Sequence, residues 1–238
     1  MNNVSKFDDN LLTMKANSLL GPAKPGTERV DTWLSRYCGA DDTPYVRAVG
    51  ARFLISAIAR ALDPGCRMDA ILVLHGARGT GKSMTVSILG SPWSTQMMLL
   101  GRDKDLGVVA GTNWIIEVTP LTVNDIDKHE AFLFRRYDKF RPTYGRTIEE
   151  FPRRCVFVGT DSRADWRDAT MRDRRYWPVH IRECDTEALQ RDRDQLWAEA
   201  AFRYHSAILH PELAHPDCPG ERWWFEPDEQ IGGQTPSR

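Results

Sequence analysis

The octapeptide Gly76-Ala77-Arg78-Gly79-Thr80-Gly81-Lys82-Ser83 follows the pattern G-x-x-x-x-G-K-[ST] and constrains this chain more than any other segment. The apolar run Ala70-Ile71-Leu72-Val73-Leu74-His75 precedes it, and Met84-Thr85-Val86-Ser87-Ile88-Leu89 follows. The first suits a buried strand and the second opens a helix. Strand, glycine loop and helix, in that order, make a phosphate grip. The glycines let the backbone turn tightly and approach an anion without an intervening Cβ. The helix start supplies unpaired N–H groups and the positive end of its dipole. The expected contact set runs from Gly76 to Met84, with Lys82 at the β- and γ-phosphates and the Ser83 hydroxyl toward Mg²⁺. ATP and Mg²⁺ are the expected ligands.

Composition leaves that reading open and closes others. The chain has 238 residues, 41% of them hydrophobic, and a net charge of −1. This is enough for one packed domain, without a global pull toward nucleic acid or membrane. Cys38, Cys66, Cys155, Cys184 and Cys218 are widely spaced with no C-x-x-C pair, the pattern of reduced thiols. His210, His215 and Cys218 lie near one another but lack a fourth ligand, which favours a solvated loop over a metal site. No segment approaches the roughly 18 apolar residues that span a bilayer. The N-terminus has no apolar core of a signal peptide. The expectation is a soluble cytoplasmic protein without a membrane partner.

Along the chain, residues 1–27 read as a flexible leader and 28–66 as an N-terminal helical cap. A core follows over 67–226, and 227–238 form a disordered tail. Val46, Val49, Phe53, Ile55, Ile58 and Leu62 recur at helical spacing, and Asp41-Asp42-Thr43-Pro44 reads as a helix start. Trp114-Ile115-Ile116-Glu117-Val118 and Cys155-Val156-Phe157-Val158-Gly159-Thr160 are further buried-strand candidates. Helices are expected from about Asn124 to Tyr137 and from Glu187 to about Tyr204. Strands alternating with helices after such a loop imply an α/β fold of P-loop type, with a largely parallel sheet flanked by helices.

Phosphoryl transfer needs an acid near the metal and positive charge at the γ-phosphate. Glu117 closes an apolar strand 35 residues after Lys82, a suitable place for the metal-side acid. Thr160-Asp161-Ser162 follow the next strand, where parallel sheets gather ligand groups, and are candidates to sense the γ-phosphate. Arg172, Arg174 and Arg175 precede Tyr176-Trp177-Pro178-Val179; either a phosphate-directed arginine or a solvated basic turn fits them. Residues 128–154 hold eight basic side chains against four acidic ones, with Phe140 and Tyr144 interleaved. Such a segment is a solvated face or a track for single-stranded nucleic acid.

Taken together, the chain resembles the virulence-associated protein E domain. The segments that carry the likeness are Val30-Asp31-Thr32-Trp33-Leu34, Asp42-Thr43-Pro44-Tyr45-Val46-Arg47-Ala48-Val49-Gly50, the glycine loop and Trp114-Ile115-Ile116-Glu117. Phe140-Arg141, Tyr144-Gly145-Arg146, Arg174-Arg175-Tyr176-Trp177-Pro178-Val179, Asp194-Gln195-Leu196-Trp197 and Glu221-Arg222-Trp223-Trp224 continue it in colinear order. That family is similar to superfamily 3 helicases, AAA+-type ring ATPases of phages and mobile elements in bacterial hosts. The resemblance implies Lys82, Glu117, Arg174 and Arg175 as catalytic residues, Arg174 or Arg175 acting as a finger on a neighbour's ATP. It implies Mg²⁺ at Ser83 and Glu117, and a DNA-contacting hairpin carrying Lys139, Arg141, Tyr144 and Arg146. It implies a homo-oligomer, expected as a hexameric ring, acting on single-stranded or forked DNA beside a separate primase or replication initiator.

The chain departs from the family at Pro120, where a second carboxylate is usual, and at Ser162, where asparagine is usual. It also places Glu130 where lysine is frequent, and its segment before Arg174 is one residue longer. Two functions follow as expectations: an ATP-dependent ring helicase, or an ATP-binding ring subunit impaired in hydrolysis. A small-molecule kinase needs the glycine loop alone, but the basic–aromatic segment argues against it.

Overall fold

The structure is a computed structural model that describes residues 29–99, 103–121, 123–141, 147–162 and 175–209. The expected leader and tail, Tyr144, Arg146, Arg172 and Arg174 lie outside these residues, as do His210, His215 and Cys218. The helical pattern at the start divides into two helices, α1 (Trp33–Cys38) and α2 (Pro44–Leu62). Gly39 ends α1 in a left-handed conformation at φ +60°, the usual helix stop. The Thr43 hydroxyl accepts the Val46 N–H at 3.2 Å, and Pro44 stands in the first turn, so α2 begins where the sequence pattern places it.

The central sheet contains β1 (Ile71–His75), β2 (Ser94–Met97), β3 (Ile115–Val118), β6 (Val156–Asp161) and β7 (Tyr176–His180). Its order is β2-β3-β6-β1-β7, and every pairing is parallel. The intervening helices are α3 (Lys82–Gly90), α4 (Asp103–Thr112), α5 (Val123–Leu133) and α6 (Thr186–Leu209), and β4 (Tyr137–Phe140) pairs antiparallel with β5 (Glu149–Pro152) as a separate hairpin. Alternating strand residues serve two cores. Leu72, Leu74, Ile115, Val156 and Val158 face α1, α2, α3 and α6, whereas Ile71, Val73, Ile116, Val118 and Phe157 face α4 and α5. Helices on both faces explain why β1, β3 and β6 are apolar without interruption.

Two tryptophans lock the first face. Trp114 packs against Trp197 with ring centres 4.6 Å apart and planes tilted by 44°, and its Nε1–H donates to the Ala57 carbonyl at 2.8 Å. The Trp197 Nε1–H donates to the Leu89 carbonyl at 3.0 Å. Sheet, α2, α3 and α6 are thereby joined through two fully used indoles.

The charged helix stops at Leu133 rather than reaching Tyr137, and Arg153 is the reason. Its Nη1 donates to the carbonyls of Phe132 and Leu133 at 2.6 and 3.2 Å, capping the helix end. Its Nε and Nη2 form a fork with the two Asp138 carboxylate oxygens at 2.9 and 2.6 Å. Both side chains are buried, so Arg153 leaves the solvent-facing basic set in which its sequence position places it. Lys139 pairs across the hairpin with Glu150 at 2.7 Å. Among the described residues, no helix is long and apolar enough to cross a membrane.

Removing one member of a buried pair strands the other. Asp138→Ala should lower unfolding free energy by about 3 kcal/mol in urea titration. Lys139→Ala, at an exposed pair, should leave the transition midpoint unmoved.

Candidate functional site

The glycine loop bridges the C-terminal end of β1 and the start of α3, as its sequence requires. Gly79 and Gly81 adopt φ +82° and +91°, backbone that side chains rarely enter. A side chain at Gly76 would collide with the Ile181 carbonyl, so the segment after β7 lies directly on the loop. That segment is a strap. Cys184 donates its N–H to the Thr80 carbonyl at 2.9 Å, Arg182 to the Cys38 carbonyl at 3.1 Å, and Asp185 to the Tyr37 carbonyl at 2.8 Å. The strap therefore ties the loop to the end of α1.

Lys82 curls over its own loop. Its Nζ donates to the carbonyls of Gly76 and Ala77 at 2.8 and 2.5 Å and to Thr80 Oγ1 at 3.2 Å. Burial draws its pKa below the ordinary lysine value, with Cys184, Asp161 and Glu117 acting in the opposite direction. An ammonium ringed by neutral carbonyls still seeks an anion.

Glu117 lies at the centre of the site. Its Oε1 accepts from Ser83 Oγ at 2.6 Å and from Thr160 Oγ1 at 2.6 Å, while Oε2 accepts from Gln96 Nε2 at 2.8 Å. The sheet creates this convergence. Gln96 pairs with Glu117 across β2 and β3, and Thr160 stands two residues beyond Val158, the Glu117 partner on β6. The carboxylate is 2% exposed, and three donors offset the cost of burying it.

Above this network a cavity of about 570 Å³ opens, lined by Arg78 to Met84, Thr119, Pro120 and Thr160 to Ser162. Every sequence-expected residue of the loop and the sensor turn, apart from Gly76 and Ala77 at the loop's base, lines it. Asp161 uses Oδ1 to accept the Ser162 N–H at 2.7 Å, which fixes the turn. The cradle suits a triphosphate: bent glycines, an ammonium at one end, and a hydroxyl–carboxylate pair, Ser83 and Glu117, with the hard oxygens that Mg²⁺ takes.

Arg175 is elsewhere. It precedes β7 and accepts the Ile71 N–H through its carbonyl, at the sheet edge opposite the loop. Its Nη1 meets Glu130 at 2.5 Å, and its guanidinium lies 4.6 Å from the Phe134 ring centre. The structure thus holds Arg175 against its own α5, away from its own cavity. Glu130, on α5, is what holds it. Lys139 and Arg141 are exposed on the hairpin, also apart from the cavity.

Sequence reasoning missed Gln96 and Cys184. Gln96 carries no motif and depends on strand register. Cys184 touches Gly81, where an added Cβ would stand 2.9 Å from its own. Cys38 Sγ lies 4.0 Å from the buried Thr85 hydroxyl in the first turn of α3. A hydrogen bond from Cys38 holds the Cys184 thiol down, at about 7, whereas burial pushes Cys155 up to about 11. Cys38, Cys66, Cys155 and Cys184 are thiols rather than disulfide halves.

The parallel sheet, the glycine loop after β1 and the flanking helices make a fold of the P-loop NTPase type. The chain belongs to the virulence-associated protein E-like domain family, whose sequence pattern matches residues 19–230. No curated protein sequence matches it. Two apo structures of the NrS-1 C-terminal region share its fold, at 12% identity each and TM-scores of 0.52 and 0.51, covering 77% of this chain. The chain spans 48% and 46% of their lengths. A JCV helicase with a bound thiazolopyridinyl-phenoxyphenyl acetamide is more distant, at 11% identity and TM-score 0.37, with 93% of this chain and 64% of that one covered.

Iodoacetamide should alkylate Cys184 before Cys38, Cys66 and Cys155, at a rate rising through a midpoint near pH 7. Peptide-resolved mass spectrometry across a pH series reads this directly; equal labelling of the buried thiols would contradict the strap's geometry.

Proposed function

We propose that this chain is the ATP-dependent, ring-forming, helicase-like DNA motor of a phage or mobile genetic element. The observation that carries this reading is the 2.6 Å bond between Ser83 and Glu117 beside the loop lysine. This is the pairing of hydroxyl and acid through which P-loop ATPases hold their metal. When bound, Mg²⁺ would neutralise charge on the β- and γ-phosphate oxygens. The chain's own residues do the remaining work. The loop amides cradle the phosphates, Lys82 exchanges its carbonyl partners for phosphate oxygens, and Thr160 and Gln96 orient the Glu117 carboxylate.

Family membership supports DNA as the partner, and the hairpin bearing Lys139 and Arg141, with Tyr144 and Arg146, is the proposed contact. Arg174 or Arg175 is the proposed finger. Arg175 lies too far from its own cavity to serve there, so its use requires a second copy and release from Glu130. A homo-oligomeric ring, working beside a separate primase or initiator in a bacterial cytoplasm, meets that requirement.

A second reading has its own support. Pro120 lines the cavity where a second carboxylate would position an attacking water, and proline has no group for that task. A subunit that binds ATP without turning it over would fit this feature and the Glu130–Arg175 pair.

The deciding measurement is ATP hydrolysis with and without single-stranded DNA. The motor predicts DNA-stimulated turnover that falls as salt rises. Lys82→Ala should abolish nucleotide binding. Glu117→Gln should retain binding and lower turnover by about 100-fold or more. Tight ATP binding with no turnover under any DNA condition selects the second reading, and retained binding in Lys82→Ala removes both.

A further inference from the structure

Arg78, in the middle of the glycine loop, is a cation with no assigned task. We propose that it reads the γ-phosphate in cis, so that the site distinguishes ATP from ADP through its own chain before any neighbour contributes. This rests on the loop being an ATP site.

Three observations place it. First, Arg78 directly follows Gly76 and Ala77, whose carbonyls hold the Lys82 ammonium. The lysine of such a loop serves the β- and γ-phosphates, so Arg78 borders the γ end rather than the α3 start. Second, its side chain crosses the cavity mouth to the sensor turn, where Nε lies 3.5 Å from Ser162 Oγ. The distance is at the outer limit of a hydrogen bond, and the partner is a neutral, exposed hydroxyl. Third, no carboxylate pairs with Arg78 among the described residues. The other arginines near the cavity's strap or the opposite sheet edge are spoken for, Arg182 by Asp41 at 2.7 Å and Arg175 by Glu130. Asp161, the acid closest in sequence to Ser162, spends Oδ1 on the Ser162 N–H.

A guanidinium fork hung on a weak hydroxyl contact, beside an ammonium, exchanges that contact for phosphate oxygens with a net gain. A γ-phosphate would fill the space between the loop and the sensor turn that Arg78 spans. ADP ends short of it. Ser162 is the matching half: its side chain is too short to close the gap itself and parks the guanidinium over it.

The test compares Kd values for ADP and for β,γ-imido-ATP, each with Mg²⁺, using the full chain. Unliganded thermal melting checks that each variant folds; Arg78 is exposed, so its loss should leave Tm unmoved. Arg78→Ala should weaken the ATP analogue by roughly 10-fold or more while leaving ADP unchanged. Arg78→Lys should recover part of the difference, because it restores charge without the fork. Equal weakening of both nucleotides, or of neither, overturns the proposal when Lys82→Ala still loses both. If Lys82→Ala binds both like the unmodified chain, the ATP-site reading fails and takes this inference with it.

Discussion

The Glu117 carboxylate is the point on which the site's architecture depends. It is held by donors from α3, β2 and β6, three elements far apart in the chain. A buried carboxylate without partners would be costly, and these three hydrogen bonds turn that cost into a constraint on position. They also fix the sheet order locally. Glu117 reaches both Gln96 and Thr160 because β3 lies between β2 and β6.

The loop above this floor is constrained from the other side. The strap after β7 packs so closely that Gly76 has no room for a side chain, and Cys184 fills the space beside Gly81. The strap's backbone bonds to Tyr37 and Cys38 then make the end of α1 part of the site's support. The left-handed turn at Gly39 places these carbonyls within reach, so a helix stop well before the loop in sequence shapes the loop's surroundings.

How much was legible depended on burial and range. β1, β3 and β6 stood out because strands covered on both faces are continuously apolar. β2 and β7 did not. Ser94-Thr95-Gln96-Met97 is a polar edge, and Tyr176 to His180 contains a proline, which a sheet edge tolerates. The charged run before β4 was legible as a helix, but its end was not. Arg153 caps it from 20 residues further along, and no local signal announces that a basic residue in a basic segment is buried. The same long-range pairing removed Arg153 from the surface charge that composition had suggested.

The amino-acid sequence by itself determined the glycine loop, the helix that follows, the apolar strands and the acid ending one of them. Each of these is set by residues within a few positions, through backbone freedom, capping and periodicity. Tertiary structure alone decided what those groups face. Ser83 finds Glu117 across 34 residues, Thr160 finds it across 43, and Arg78 meets Ser162 across 84. Arg175 is turned to Glu130 instead of outward. Such meetings depend on strand order and helix packing, which arise from the burial of the whole chain at once and leave no trace in any short stretch of it.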